Sequence, residues 1–592
     1  MSASRRFTAL NGTAVLIGIL AGLAAVLFRG LINFIETLAF RGEVDAGAIY
    51  HEEAYITTIW GVAVFMVPAV GGLVVGLVRQ AFPEARRQGI AEVMAAVQAR
   101  GGIIKGRTAW GHALLSAITV GTGGSSGREG PIGYIGAALG SSFGRRLGFK
   151  ARDIKVLLGC GTAAGIAATF NAPLGGVLFA MELILPEFST HAFIPVVIAT
   201  VLGLTVANLI LGDEPAFLLP ESFVLQSPWE LGIYLALGLA CGVGGVGFIK
   251  TMGWANDLGD RIRMPIWIKP AIGGLLVGLL GLFIFQATGA SAALGGNPQF
   301  HVFGTGYGTV NALLSGDPTA LVIPLLLLLI LAKPLASSIT LGSGGGGGVF
   351  SASLMQGALY GGVFGIVANH FWPGDVAPAS AYALVGMGAF YAASGRATLT
   401  TIVLLTELTD GYEIVMPIMF AAVTADAVSV ALSKDSIYSI RLTKRGILFD
   451  HDRVQSALDL GSVDEVMTPD VDVLRDSLTV GAAFNQMLDQ GHNGYPVIDE
   501  HERVVGVVTR SDLAKALHNG KGDAPLTAVV TGQLFTCCPD DRLHQVRDRM
   551  FQQDIGRLLV VDPRDKRRLL GIITRSDLLR GEAVHDIDHD AR

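Results

Sequence analysis

Two charges interrupt an otherwise uncharged stretch at Gly127-Arg128-Glu129-Gly130-Pro131. A carboxylate inside an apolar segment is expensive, and where one persists it usually faces a cavity or carries protons. The proline just past Glu129 and the flanking glycines place this residue at the start of a helix. There, unpaired backbone N–H groups and the helix dipole stabilise negative charge. One place can then hold either the Glu129 carboxylate or a small anion, and protonation of Glu129 shifts the balance. A carboxylate that only caps its helix would explain neither Arg128 nor the glycines on both sides.

The segment has a counterpart further along. Gly121–Gly133 aligns with Gly342–Leu354 at an offset of 221 residues, and the match continues from Gly136-Ala137 to Gly357-Ala358 and from Gly140 to Gly361. After a small insertion, Ala172–Leu183 resembles Ala397–Leu408, each ending in Glu-Leu. Twofold repeats with glycine-broken apolar segments are a way of building a binding site at the midplane of a membrane. Several helix starts aimed at one point replace the water of an anion without a full cation, which would hold it too tightly.

The elements that must position these residues are membrane helices. Apolar residues are 51% of the 592 and charged residues 16%, against about 25% charged in an ordinary soluble domain. The 78 glycines are nearly double the usual share of about 7%. Long apolar runs such as Thr13–Phe28, Ile59–Val78, Ile233–Ile249 and Leu321–Leu331 are confined to residues 1–450. Several approach the ~20 residues needed to span the hydrocarbon. Arg5 and Arg6 precede the first run, no small-residue cleavage site follows it, and the segment reads as retained. Those arginines, with Arg441, Lys444 and Arg445, place both ends of the membrane part in the cytoplasm, and the acidic stretch Glu43–Glu53 outside. The net charge of −6 offers no nucleic-acid footprint. The four cysteines show neither disulfide nor zinc spacing and read as small apolar fillers.

With these residues on the page, the chain resembles the CLC family of chloride channels and transporters. Gly127-Arg128-Glu129-Gly130-Pro131 is similar to the family's helix-start motif, and Gly347-Gly348-Val349-Phe350 to its second-half counterpart. Phe170-Asn171-Ala172-Pro173-Leu174, Ile437-Tyr438 and Lys444-Arg445-Gly446 match in order and spacing. The resemblance implies an all-α polytopic membrane protein built as an inverted repeat of roughly eighteen tilted helices, working as a homodimer in the cell membrane with one pore per subunit. It implies chloride or another small anion as the substrate, with protons as a second partner in exchanging members. It makes Glu129 the gating glutamate. It makes Gln88, Gly89, Ile90, Arg128, Gly130, Val349, Phe350 and Tyr438 the anion-binding set, with Tyr438 the inner-gate hydroxyl and Val349 and Phe350 contributing backbone N–H groups.

Three departures bear on mechanism. Arg87-Gln88-Gly89-Ile90-Ala91-Glu92 stands where the family has Gly-Ser-Gly-Ile-Pro-Glu, so Gln88 replaces the anion-contacting serine. Ala352 stands where the second motif usually has proline. Leu183 occupies the position at which proton-coupled members carry an internal glutamate, and the adjacent Glu182 takes a structural role. Channel-like or weakly proton-coupled flux is therefore expected, with strict proton/chloride antiport as the alternative.

The membrane part is expected to cover residues 1–446, with halves at about 10–212 and 229–446, and 447–461 as a linker. Residues 462–592 carry a shorter repeat: Tyr495-Pro496-Val-Ile-Asp499 against Leu558–Asp562, and Gly506–Leu513 against Gly571–Leu578. Each unit, at about 462–520 and 525–580, reads as strand, helix, two strands, helix. This α/β module resembles a tandem CBS pair, regulatory and cytoplasmic. The resemblance makes Thr509, Asp512, Thr574 and Asp577, with Tyr495 and Pro496, candidates for binding ATP, ADP or AMP. As plain chemistry, Thr-x-x-Asp at a helix start also reads as a cap. A CBS-regulated divalent-cation transporter would need several intramembrane acids at one site, where the repeat supplies glycines and Glu129. An anchored enzyme would need a catalytic set that the pore segments lack.

Overall fold

The computed structural model describes residues 3–44, 58–82, 89–185, 188–213, 217, 225–288, 301–316, 322–409, 413–444, 462–469, 471–490, 494–530, 534–541, 543–553, 555–563 and 565–578. Gln88, the linker 447–461, Arg445-Gly446 and most of the acidic stretch 43–53 lie outside the described residues. The chain divides into two compact units, Met1–Phe449 and Asp450–Arg592.

In the first unit every described regular element is helical. The helices are α1 (Ala3–Arg41), α2 (Met66–Ala81), α3 (Ile90–Ala99), α4 (Gly106–Gly121), α5 (Glu129–Arg146), α6 (Ala151–Phe170), α7 (Pro173–Phe179, continued by a π turn Ala180–Ile184) and α8 (Thr190–Leu211). The second half contains α9 (Leu231–Arg261), α10 (Lys269–Thr288), α11 (Tyr307–Leu314), α12 (Ile323–Ser343), α13 (Phe350–Phe371), α14 (Ala379–Gly395), α15 (Thr398–Thr409), α16 (Val415–Leu432) and α17 (Ile440–Thr443). Among the described residues, nine helices are long and apolar enough to cross a membrane.

The repeat read from the sequence is a repeat of contacts. On α5 and α6, a Cβ added to Gly136 or Gly161 would strike the backbone of the other. On α13 and α14, Gly357 and Gly386 stand in the same relation. Two helix backbones in van der Waals contact leave no room for a side chain, which is why glycine recurs at the matching place. The turns match too. Asn171 ends α6 at φ 55° and Arg396 ends α14 at φ 56°, both left-handed. Pro173 then opens α7, where its missing N–H costs nothing.

The two halves also cap each other. Glu182, in the π turn after α7, accepts from the N–H groups of Leu399 (3.1 Å) and Thr400 (2.7 Å) at the start of α15. Glu407, on α15, accepts from those of Leu174 (2.9 Å) and Gly175 (2.6 Å) at the start of α7. Each carboxylate sits at the positive end of the other half's helix. The structural role expected of Glu182 is this one.

The second unit holds two equivalent three-stranded sheets. In one, β1 (Leu474–Arg475) pairs parallel with β2 (Gly494–Ile498), which pairs antiparallel with β3 (Val504–Thr509). In the other, β4 (Thr536–Cys537), β5 (Arg557–Val561) and β6 (Leu569–Thr574) repeat the pattern. Helices α18 (Val463–Val466), α19 (Val480–Gln490), α20 (Arg510–His518) and α21 (Leu543–Gln552) complete the described elements. Asp499 turns the chain between β2 and β3. Its carboxylate accepts from the N–H groups of Arg503 and His501, which hold it below the usual carboxylate range. All four cysteines are free, and burial pushes the Cys537 thiol up to about 12.

Candidate functional site

The starts of α5 and α13 meet head to head. Gly127 and Gly348, the residues just before them, exchange two backbone hydrogen bonds, N to O 2.8 Å and 2.7 Å. Gly348 has no room for a side chain, because a Cβ there would lie 2.9 Å from the Gly130 nitrogen. Arg128 and Val349 are the N-cap residues of the two helices, and neither cap is closed by a side chain. The backbone N–H groups of both first turns are thus left directed at one place.

Glu129 occupies that place. It is buried, 1% exposed, and its Oε1 accepts a 2.5 Å hydrogen bond from Tyr307 Oη. Its Oε2 has no hydrogen-bond partner among the described residues, while the carboxylate lies beside the backbone N–H groups of Glu129 itself and of Ser351, in the first turn of α13. A Cβ on Gly127 would strike both Glu129 Oε2 and Ser351 Oγ. The carboxylate therefore competes for N–H groups of both halves, held by one oxygen and not by the other.

Tyr307 is itself held from several sides. The Arg128 guanidinium lies 5.5 Å from its ring centroid, and Phe217 packs edge-on at 5.3 Å. Arg128, expected in the anion-binding set, thus rests on the aromatic ring whose hydroxyl holds Glu129. Gly306 precedes Tyr307 at φ 85°, and the chain before it is pinned by Lys333 of α12. Lys333 is fully buried and donates to the carbonyls of Val302 (3.3 Å) and Gly304 (2.9 Å). His301 Nδ1 and Thr309 Oγ1, 2.9 Å apart, close the same turn.

At the other end, Tyr438 is 5% exposed, and its hydroxyl lies 3.2 Å from that of Tyr391 on α14. The Tyr391 ring packs edge-on against Phe350, with centroids 4.4 Å apart, so Tyr438 reaches the start of α13 through one intervening aromatic. Gly89, at φ 78°, opens α3, and Ile90 packs against Gly133 one turn into α5. The structure thus brings Glu129, Arg128, Gly130, Val349, Phe350 and Ile90 together around the two helix starts. Leu183 is 1% exposed in the same apolar core as Phe179, Ile184 and Ile90.

In the second unit, Asp512 Oδ2 accepts from Thr509 N (3.1 Å) and Oγ1 (2.5 Å) in a capping box at the start of α20. Asp577 Oδ2 accepts likewise from Thr574 N (2.9 Å) and Oγ1 (2.7 Å). Tyr495 and Pro496 lie buried in β2. Among the described residues, no group of three or more His, Cys, Asp or Glu side chains could hold a metal.

Sequence reasoning missed Tyr307, Tyr391 and Lys333. Lys333 was detectable, since it is a charge inside the apolar run of α12. Tyr307 and Tyr391 carry no such mark, because a tyrosine among apolar residues is ordinary.

The chain is similar to known proteins along most of its length. The family model described as voltage gated chloride channel matches residues 70–430, and the CBS domain model matches 463–519 and 526–583. A putative chloride channel protein, ClcB-like, of Ralstonia nicotianae is 30% identical over 73% of this chain and 96% of its own length. An H(+)/Cl(-) exchange transporter, ClcA, of Vibrio campbellii is also 30% identical, over 72% of this chain and 87% of its own. A crystal structure of a eukaryotic CLC transporter superposes with a TM-score of 0.67 at 20% identity, covering 96% of this chain and 97% of that one. The chain belongs to the voltage-gated chloride channel (CLC) family, with a tandem CBS pair following its membrane part.

Proposed function

We propose that the protein is a chloride pathway of the cell membrane, channel-like or weakly coupled to protons, whose gate is the Glu129 carboxylate. The observation that carries this reading is the placement of Glu129 between the starts of α5 and α13, one oxygen on Tyr307 and the other without a hydrogen-bond partner among the described residues. Ionised, it occupies N–H groups that an anion would use; protonated or displaced, it yields them. Weak coupling follows from Leu183, which has no titratable atom and sits in an apolar core. Strict proton/chloride exchange is the second reading. It is favoured by the named activity of the Vibrio relative and by Tyr391, which lies within electrostatic reach of both Glu129 and Glu182.

The CBS pair is proposed to lie in the cytoplasm, to bind adenine nucleotide near Asp512 or Asp577, and to adjust flux; the subunits are proposed to pair as homodimers. Purified protein in liposomes tests the central claim, with anion and proton movement recorded together. Chloride should pass in preference to sodium, potassium or magnesium. A reversal potential that follows the cation gradient would overturn the reading.

A further inference from the structure

The start of α4 lies against the end of α5. Ile104 N donates to Ser141 Oγ (2.8 Å), and Arg145 Nη2 donates to the Ile104 carbonyl (3.2 Å). Between them opens a cavity of about 540 Å³, lined by Gly106, Arg107, Trp110, Ser142, Arg145 and Arg146. No carboxylate lines it, and none of the three arginines makes an ion pair among the described residues. Arg107 rests at 5.9 Å over the Phe82 ring at the end of α2. Lys105, the N-cap residue of the 16-residue helix α4, leaves the first-turn N–H groups without a side-chain acceptor. Among the described residues, three guanidiniums therefore surround a space with no negative partner of their own.

The rim is apolar as well as basic. Trp110, which lines the cavity, is 78% exposed; Leu147, next to Arg146 in the chain, is 59% exposed and Ile103, next to Ile104, 47%. One helix starts and the other ends here, and Lys105, Lys150 and Arg152 are near in sequence. Such an excess of Lys and Arg at helix ends marks the cytoplasmic boundary of a membrane, and an exposed tryptophan there sits at headgroup level. Basic pockets between membrane helices on that side suit phosphate headgroups.

We propose that this cavity binds the phosphodiester headgroup of an anionic glycerophospholipid of the cytoplasmic leaflet, with acyl chain lying along Trp110 and Leu147. Arg107 and Arg146 meet the phosphate oxygens in bidentate fashion, and Arg145 does so with the nitrogens it does not give to Ile104. A zwitterionic lipid fits poorly, because its ammonium would enter a cavity that offers three cations and no carboxylate. Free phosphate fits the charge but leaves Trp110, Leu147 and Ile103 without a partner.

The test uses the full chain in mild detergent and native mass spectrometry with phosphatidylglycerol and phosphatidylcholine of identical chains. Wild-type protein should retain phosphatidylglycerol preferentially. The triple variant Arg107→Gln, Arg145→Gln, Arg146→Gln should lose about tenfold or more of that preference. Should the triple variant fold poorly, Arg146→Glu alone, at an exposed position, should lower the preference in the same direction. Trp110→Ala should weaken retention of the lipid. Equal retention of the two lipids by wild type, or unchanged preference in a folded arginine variant, would overturn the proposal. So would displacement of the lipid by inorganic phosphate at comparable concentration, which would assign the cavity to a free anion.

Discussion

Tyr307 Oη donates to Glu129 Oε1 across 2.5 Å, tying the first residue of α11 to the first residue of α5. When Glu129 is ionised the bond is charge-assisted, of a kind that contributes about 1.5–3 kcal/mol. In the proposed gating it holds the carboxylate in the blocking position, so Tyr307→Phe should loosen the gate. Flux at neutral pH should rise, and the pH of half-activation should move upward by about one to two units, since one unit corresponds to about 1.4 kcal/mol. Chloride efflux from liposomes across a pH series checks this. An unchanged midpoint would show that the hydroxyl only packs.

Glu129→Gln removes the charge altogether. Acidification protonates the carboxylate of the wild type and frees the N–H groups of α5 and α13, so wild-type flux should rise as pH falls. The glutamine variant should be open and nearly flat with pH. If it kept the wild-type profile, the gate would lie elsewhere, whatever Tyr307→Phe had done.

Coupling is tested by asking whether a chloride gradient drives protons uphill in sealed liposomes. With Leu183 buried among apolar side chains, pumping should be weak or absent, because a proton crossing there finds no group to carry it. Clear uphill pumping would favour the exchanger and would make Tyr391 the first residue to substitute.

Calorimetry on the full chain tests the tail. ATP, ADP or AMP should bind, and Asp577→Ala should weaken binding about tenfold or more. The same substitution also removes a helix cap worth about 1 kcal/mol. Thr574→Ser, which keeps the capping hydroxyl, is therefore the control for stability. No heat with any of the three nucleotides would leave Asp512 and Asp577 as caps.

The parts of the site legible in the sequence were those whose chemistry is local. Glu129 stood out because a charge among glycines is improbable, and Gly127 and Gly348 because close backbone approach admits nothing larger. The strand–helix–strand order of the tail was legible for the same reason, its β-branched runs and turn residues being neighbours in the chain. Tyr307 was not, because the bond that gives it meaning spans 178 residues. Tyr391 and Tyr438 are 47 apart, and a hydroxyl pair at that separation leaves no periodic trace. The rotation of Arg128 onto an aromatic face depends on Tyr307 and was hidden with it.

The reciprocal grip of Glu182 and Glu407 makes the two halves dependent on each other. In a chain lacking α15, the N–H groups of Leu174 and Gly175 would lose their acceptor and Glu182 its donors. That helix lies more than two hundred residues further along the chain and brings both the acceptor and the donors. Each half thus supplies the acceptor for a helix start in the other, so loss of either carboxylate would leave one start without its partner.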